Sequence, residues 1–125
     1  MRLLRTARLL RPADFAALRT AARRITSPLF KVEYRANAGV GPRLGMAVSR
    51  RVSKKAVVRN RIRRVIREQF RLGQSVLPNA DLLFIARSAC AERTNPQLRA
   101  DLAIIFGRLA ALKDGDAPGT MRADA

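Results

Sequence analysis

The chain has 125 residues, enough for one domain with a real hydrophobic core, and no run in it approaches the roughly 20 apolar residues of a membrane-spanning helix. Lys and Arg total 26 against nine Asp and Glu, a formal charge of +17; neutralising phosphates releases condensed counterions, so nucleic acid is the expected partner, with an anionic membrane surface the weaker alternative. The lack of histidine excludes histidine-based acid-base chemistry, the single Cys90 excludes an internal disulfide and argues against a zinc site, and the scattered carboxylates do not read as a metal-dependent nuclease centre.

Residues 1–11, "MRLLRTARLLR", are interrupted by arginine too often for a secretory signal. They read as a basic arm on a cytoplasmic protein. Pro12 suits the first position of a helix, and Phe15, Leu18, Ala22 and Ile25 follow at helical spacing; this helix should end before Pro28. From Leu29 to Arg35 the pattern alternates, with Phe30, Val32 and Tyr34 on one face and Lys31, Glu33 and Arg35 on the other, which predicts a strand. "NAGVGP", Asn37 to Pro42, reads as a hairpin loop leading into a second strand over Leu44 to Ser49. Ser53 is the candidate N-cap of the next helix and Gly73 its C-terminal close.

"DLLFIAR", Asp81 to Arg87, has strand length and an apolar run that predicts burial on both faces. Asn95 as cap and Pro96 at the first position start a last helix, whose Leu98, Leu102, Ile105, Leu109 and Leu112 form an apolar stripe. After Lys113 the composition turns to Gly, Pro and Asp, predicting a disordered tail over 114–125 and a single folded domain over 12–113. The element order is helix, two or three strands, helix, strand, helix: an α+β sandwich.

Residues 57–71, "VVRNRIRRVIREQFR", carry six arginines in fifteen positions. On a helical wheel of about 100° per residue, Val58, Ile62, Val65, Ile66 and Phe70 share the core side. Asn60, Arg64, Arg67 and Arg71 share the opposite side, with Arg61 and Glu68 on one shoulder and Arg59 and Arg63 on the other. A solvated face laced with i, i+4 ion pairs is the alternative, but Glu68 is the only acid on this helix. Phosphate would relieve the repulsion and add charge-assisted, bidentate bonds to guanidinium. Asn60 suits an oriented hydrogen bond to a ribose or base edge. "SRRVSKK", Ser49 to Lys55, adds Arg50, Arg51, Lys54 and Lys55 beside the helix N-terminus, itself favourable to phosphate. Phe15, Phe30 and Tyr34 are the aromatic candidates either for the core or for stacking a single-stranded base.

The stretch "RLGMAVSRRVSKKAVVRNRIRRVIREQFR", Arg43 to Arg71, closely resembles the bacterial ribonuclease P protein component family, whose RNR motif falls on Arg59, Asn60 and Arg61. "ADFAAL" (Ala13 to Leu18), "FKVEY" (Phe30 to Tyr34) and "DLLFIAR" extend the resemblance over about residues 9–112. It implies an αβββαβα fold like the second domain of ribosomal protein S5, with a left-handed β-α-β crossover through the arginine helix. It also implies a protein that binds a large catalytic RNA and holds the 5′ leader of precursor tRNA while the RNA, with magnesium, cleaves; other small RNAs are possible substrates. No catalytic residue, metal or cofactor is expected on the protein itself, and neither membrane nor DNA as partner. The expected RNA-facing set is Arg59, Asn60, Arg61, Arg63, Arg64 and Arg67 with Arg50, Arg51, Lys54 and Lys55. The expected leader cleft is Phe15, Arg19, Phe30 and Tyr34.

Three positions depart from the family pattern: Arg19 where a second aromatic can stand, Ala22 in place of a glycine, and Gln69 in the apolar sector of the arginine helix. Two other classes fit a small basic chain, a ribosome-associated protein and a protein-only nuclease. The missing histidines and unpaired carboxylates disfavour the nuclease.

Overall fold

A computed structural model of the chain describes residues 23–37 and 41–115. The expected basic arm, the helix from Pro12 with Phe15, Arg19 and Ala22, and all of the expected tail except Asp114 and Gly115 lie outside the described residues. The elements in chain order are β1 (Arg23–Thr26), β2 (Phe30–Ala36), β3 (Arg43–Ala47), α1 (Ala56–Gly73), β4 (Ala80–Ala86) and α2 (Asn95–Gly115). Short 3-10 turns follow α1 (Gln74–Val76) and β4 (Ser88–Glu92).

Strand β1 corrects the expected helix end. Ile25 follows Ala22 at helical spacing, yet it sits on an edge strand and pairs with Val32 of β2. The β-branched Ile25 and Thr26 favour that conformation. A tight turn closes the hairpin: the Ser27 amide donates to the Phe30 carbonyl at 2.8 Å, and the Phe30 amide donates to Ser27 Oγ at 3.0 Å. The third strand that the sequence left open is therefore this one, and it precedes the two that alternation marks.

The sheet order is β1-β2-β4-β3. Consequently "NAGVGP" is not a hairpin loop, because β4 lies between β2 and β3, antiparallel to the first and parallel to the second. Glycine and proline mark a change of direction but do not say which strand becomes the neighbour. What decides is β4 itself: Leu82, Leu83 and Phe84 are all buried, and a run apolar on both faces is stable only in the middle of the sheet. Gly41 leads back into β3 with φ of 100°, a conformation that an L side chain rarely adopts.

Register assigns the faces. Ile25, Phe30, Val32, Tyr34, Leu44, Leu82 and Phe84 belong to one face and enter the core with Ile62, Val65, Ile66 and Phe70 of α1 and Leu98, Leu102, Ile105 and Leu109 of α2. Both apolar helix stripes are therefore where their periodicity puts them. Lys31, Glu33, Arg35, Arg43, Asp81, Leu83 and Ile85 share the opposite face.

Helix ends differ from expectation in four places. Ser53 does not cap α1: Lys55 is the N-cap, with no side-chain bond, while Ser53 Oγ accepts the Lys55 amide at 3.1 Å in a turn just before the helix. Gly73 is the last residue of α1 and not a left-handed cap; a Cβ there would meet the Phe106 ring of α2 at 3.0 Å, so the glycine lets the two helices approach. Thr94, not Asn95, caps α2. Its amide donates to Gln97 Oε1 at 2.9 Å and its hydroxyl accepts the Gln97 amide at 3.3 Å, a reciprocal capping box that places Asn95 in the first turn. Helix α2 also runs to Gly115, two residues past the expected end, a difference common at fraying termini.

Candidate nucleic-acid interface

Burying Ile62, Val65, Ile66 and Phe70 turns the opposite side of α1 outward, and the arginines there divide into two groups. The first group is held. Arg59 Nη1 donates to the carbonyls of Ser53 at 3.0 Å and Lys54 at 3.1 Å, tying α1 to the loop before it. Arg61 Nη1 reaches Asn95 Oδ1 at 2.7 Å, and its Nη2 lies 3.5 Å from the Ala91 carbonyl. Arg63 Nη1 donates to Asn60 Oδ1 at 3.0 Å, and its Nη2 lies 3.4 Å from the Val48 carbonyl.

The second group is free. Arg64 and Arg67 are exposed, and neither has an acceptor among the described residues. Arg71 differs: among the described residues it makes the one ion pair of the helix, 3.7 Å to Glu68; a partly exposed pair of this kind contributes no more than about 1 kcal/mol. Gln69 is half-buried, so it belongs to the margin of the core rather than its enclosed centre.

Arg50, Arg51, Lys54 and Lys55 are exposed in the loop that leads into α1. Val48 and Val52, both buried, pin that loop, and the Val52 amide bonds the Ser49 carbonyl at 3.0 Å. The first turn of α1 has no acid and no side-chain cap on its amides. Free guanidinium, lysine and helix N-terminus thus lie along α1 and its leading loop as a surface that repels itself unless an anion is present. Asn60 is exposed there; with its oxygen engaged by Arg63, its amide hydrogens are what it offers a ligand.

The expected leader cleft fares differently. Phe15 and Arg19 lie outside the described residues. Phe30 and Tyr34 are core residues, Tyr34 only 3% exposed, and they share the sheet face that α1 and α2 cover. Their spacing is that of any alternating strand with one buried face, so it could not tell a stacking platform from a core. Tyr34→Ala is accordingly expected to lower the unfolding free energy by about 3 kcal/mol in denaturant titrations. The ratio of affinities for leader-bearing and leaderless RNA should stay that of the wild type.

One polar cluster escaped the sequence reading. On the far face of the sheet Asp81 Oδ1 accepts Arg43 Nε at 2.7 Å and Asn37 Nδ2 at 3.0 Å, while Oδ2 accepts Arg43 Nη2 at 2.7 Å. Asn37 Nδ2 also reaches the Gly41 carbonyl at 2.7 Å. The visible signal was an acid opening an otherwise apolar strand.

Cys90 is buried, with its Sγ 3.1 Å from the Leu29 carbonyl. Burial pushes its thiol up to about 11, with the Asp101 charge adding to the rise and Arg87, Arg61 and Arg93 opposing it. Folded protein should therefore resist iodoacetamide at neutral pH, while denatured protein is alkylated stoichiometrically. Among the described residues no three His, Cys, Asp or Glu side chains gather as ion ligands, and no helix is long and apolar enough to cross a membrane.

Comparison with known proteins agrees with this geometry. The family model for ribonuclease P matches residues 3–110. The ribonuclease P protein component of Xanthomonas campestris pv. campestris is 43% identical over 117 residues, covering 94% of this chain and 78% of that protein. That of Nitrosococcus oceani is 40% identical over 94 residues, covering 75% and 79%. Among solved structures, the RNase P protein of Staphylococcus aureus superposes with a TM-score of 0.75 at 29% identity, over 81% of this chain and 93% of that one. The RNase P protein from Thermotoga maritima in complex with 1-(4-fluorophenyl)-2-thiourea gives 0.73 at 30%, over 79% and 97%. The chain belongs to the ribonuclease P protein component family, and so to an endoribonuclease complex with an RNA partner.

Proposed function

We propose that this protein binds the catalytic RNA of ribonuclease P through the outer side of α1 and the loop before it, and assists removal of the 5′ leader from precursor tRNA. The observation that carries the reading is the pair of free arginines, Arg64 and Arg67, on a helix that Arg59, Arg61 and Arg63 hold in place. Family membership favours it over a ribosomal protein with the same charge.

Hydrolysis belongs to the RNA subunit in this reading. Magnesium, too, belongs to the RNA in this reading. With Phe30 and Tyr34 in the core, Phe15 and Arg19 remain the candidates for holding the leader. A broader range of small RNA substrates follows from electrostatic, sequence-independent contacts of this kind.

Reconstitution tests the proposal. Purified protein alone should leave precursor tRNA intact, and adding it to the catalytic RNA should raise cleavage at low magnesium. Cleavage that does not respond to the protein would overturn the reading.

A further inference from the structure

We infer that Arg61, although it stands in the RNR motif, is a positioning residue that clamps α1 to the start of α2 and contacts no RNA. This rests on the proposed binding of RNA by α1. Its guanidinium can only donate, and two acceptors face it: Asn95 Oδ1 at 2.7 Å and the Ala91 carbonyl at 3.5 Å. Both acceptors are themselves fixed. Ala91 belongs to the 3-10 turn whose Cys90 is buried, and Asn95 follows Thr94 inside the capping box with Gln97.

Arg61 is half-buried, whereas Arg64 and Arg67 are exposed with no acceptor among the described residues. On the wheel it lies roughly 90° from the centre of the sector formed by Asn60, Arg64, Arg67 and Arg71, on the shoulder towards α2. The bond joins positions 34 apart in sequence, so it fixes the angle of one helix against another, not a local turn. A lysine has one donor centre and cannot span both acceptors, which explains why this shoulder position is arginine. At the far end of the same interface Gly73 admits the Phe106 ring, so α1 is held at both ends by α2.

A second-site substitution separates clamp from contact. Asn95 is half-buried beside Arg61 and offers α1 its side-chain oxygen. Arg61→Ala and Asn95→Ala should each weaken binding of the full chain to cognate ribonuclease P RNA about three- to tenfold, the usual size for residues that act through their neighbours. The double variant should be no weaker than either single. All three should keep the wild-type slope of log affinity against log salt, since no phosphate contact is lost. Asn95→Asp, which retains an acceptor, should bind like the wild type. Binding is measured below the melting transition of each variant, so a loss of stability alone would leave it unchanged.

A shallower salt slope for Arg61→Ala would overturn the inference, as would full RNA affinity in Asn95→Ala. If Arg61→Ala does not fold, the two Asn95 variants decide. Failure of the underlying reading looks different: Arg64→Ala and Arg67→Ala would then leave affinity and slope untouched.

Discussion

Asp81→Ala is expected to destabilise the fold by about 3 kcal/mol, read as a lower denaturation midpoint at an unchanged denaturant slope. The carboxylate is buried, and from β4 it ties together Asn37 after β2 and Arg43 at the start of β3, two strands that share no backbone ladder with each other. Because β4 separates β2 from β3, this cluster does at the end of the sheet what a hairpin turn would otherwise do. Removing the acid takes two charge-assisted hydrogen bonds from the Arg43 guanidinium, whose side chain retains only 27% exposure. Partial access to water keeps the cost at the lower end of that for a broken buried pair.

The same contact makes a pH prediction. Burial by itself would raise the Asp81 pKa, but the bonds from Arg43 and Asn37, with the charges of Arg43 and Arg35, outweigh it and hold the group below the ordinary carboxylate value. A depressed folded-state pKa means the unfolded chain binds a proton first. The contribution is therefore complete above the unfolded value of about 3.9 and is lost as pH falls through the lower folded value. The stability gap between wild type and Asp81→Ala should shrink over that acid window and be constant above pH 5 or so.

The second large effect falls on binding. Arg64→Ala and Arg67→Ala should each reduce affinity for ribonuclease P RNA about tenfold, the scale of a hydrogen bond between charged groups. Each should also make the plot of log affinity against log salt shallower by roughly 0.7 to 0.9. Arg64 and Arg67 lie three residues apart on the same side of α1, and neither gives up an internal bond on meeting phosphate. Arg59 and Arg63 would have to release backbone carbonyls to do so. Substituting them should therefore loosen α1 and its leading loop more than it alters the salt slope.

The sequence made the arginine helix legible as a two-sided element because a period of 3.6 leaves one assignment for Ile62, Val65, Ile66 and Phe70. It could not say which arginines are spent internally. That depends on Asn95 and Ala91, some thirty residues on, and on carbonyls that composition does not reveal. Sheet order was hidden for a similar reason: turn residues at 37–42 were plain, but insertion of β4 between the strands they join is a long-range choice. Ile25 misled because a four-residue edge strand is too short for alternation to compete with a neighbouring helical pattern. Tyr34 was open between core and stacking roles because alternation gives its strand parity, towards Leu82, but not what covers that face.

The central claim is that RNA lies along the outer side of α1. Val57, 73% exposed, stands seven residues before Arg64 and so about 20° from it on the helix, while Ile104, 58% exposed, faces away on α2 where it lines a groove with Pro28 and Leu29. A hydroxyl-radical probe tethered to Val57→Cys or Ile104→Cys, with buried Cys90 left unlabelled, compares the two surfaces directly in the complex with ribonuclease P RNA. Discrete RNA cleavage from position 57 and none above background from position 104 is the predicted result; cleavage from 104 with silence at 57 would contradict the account.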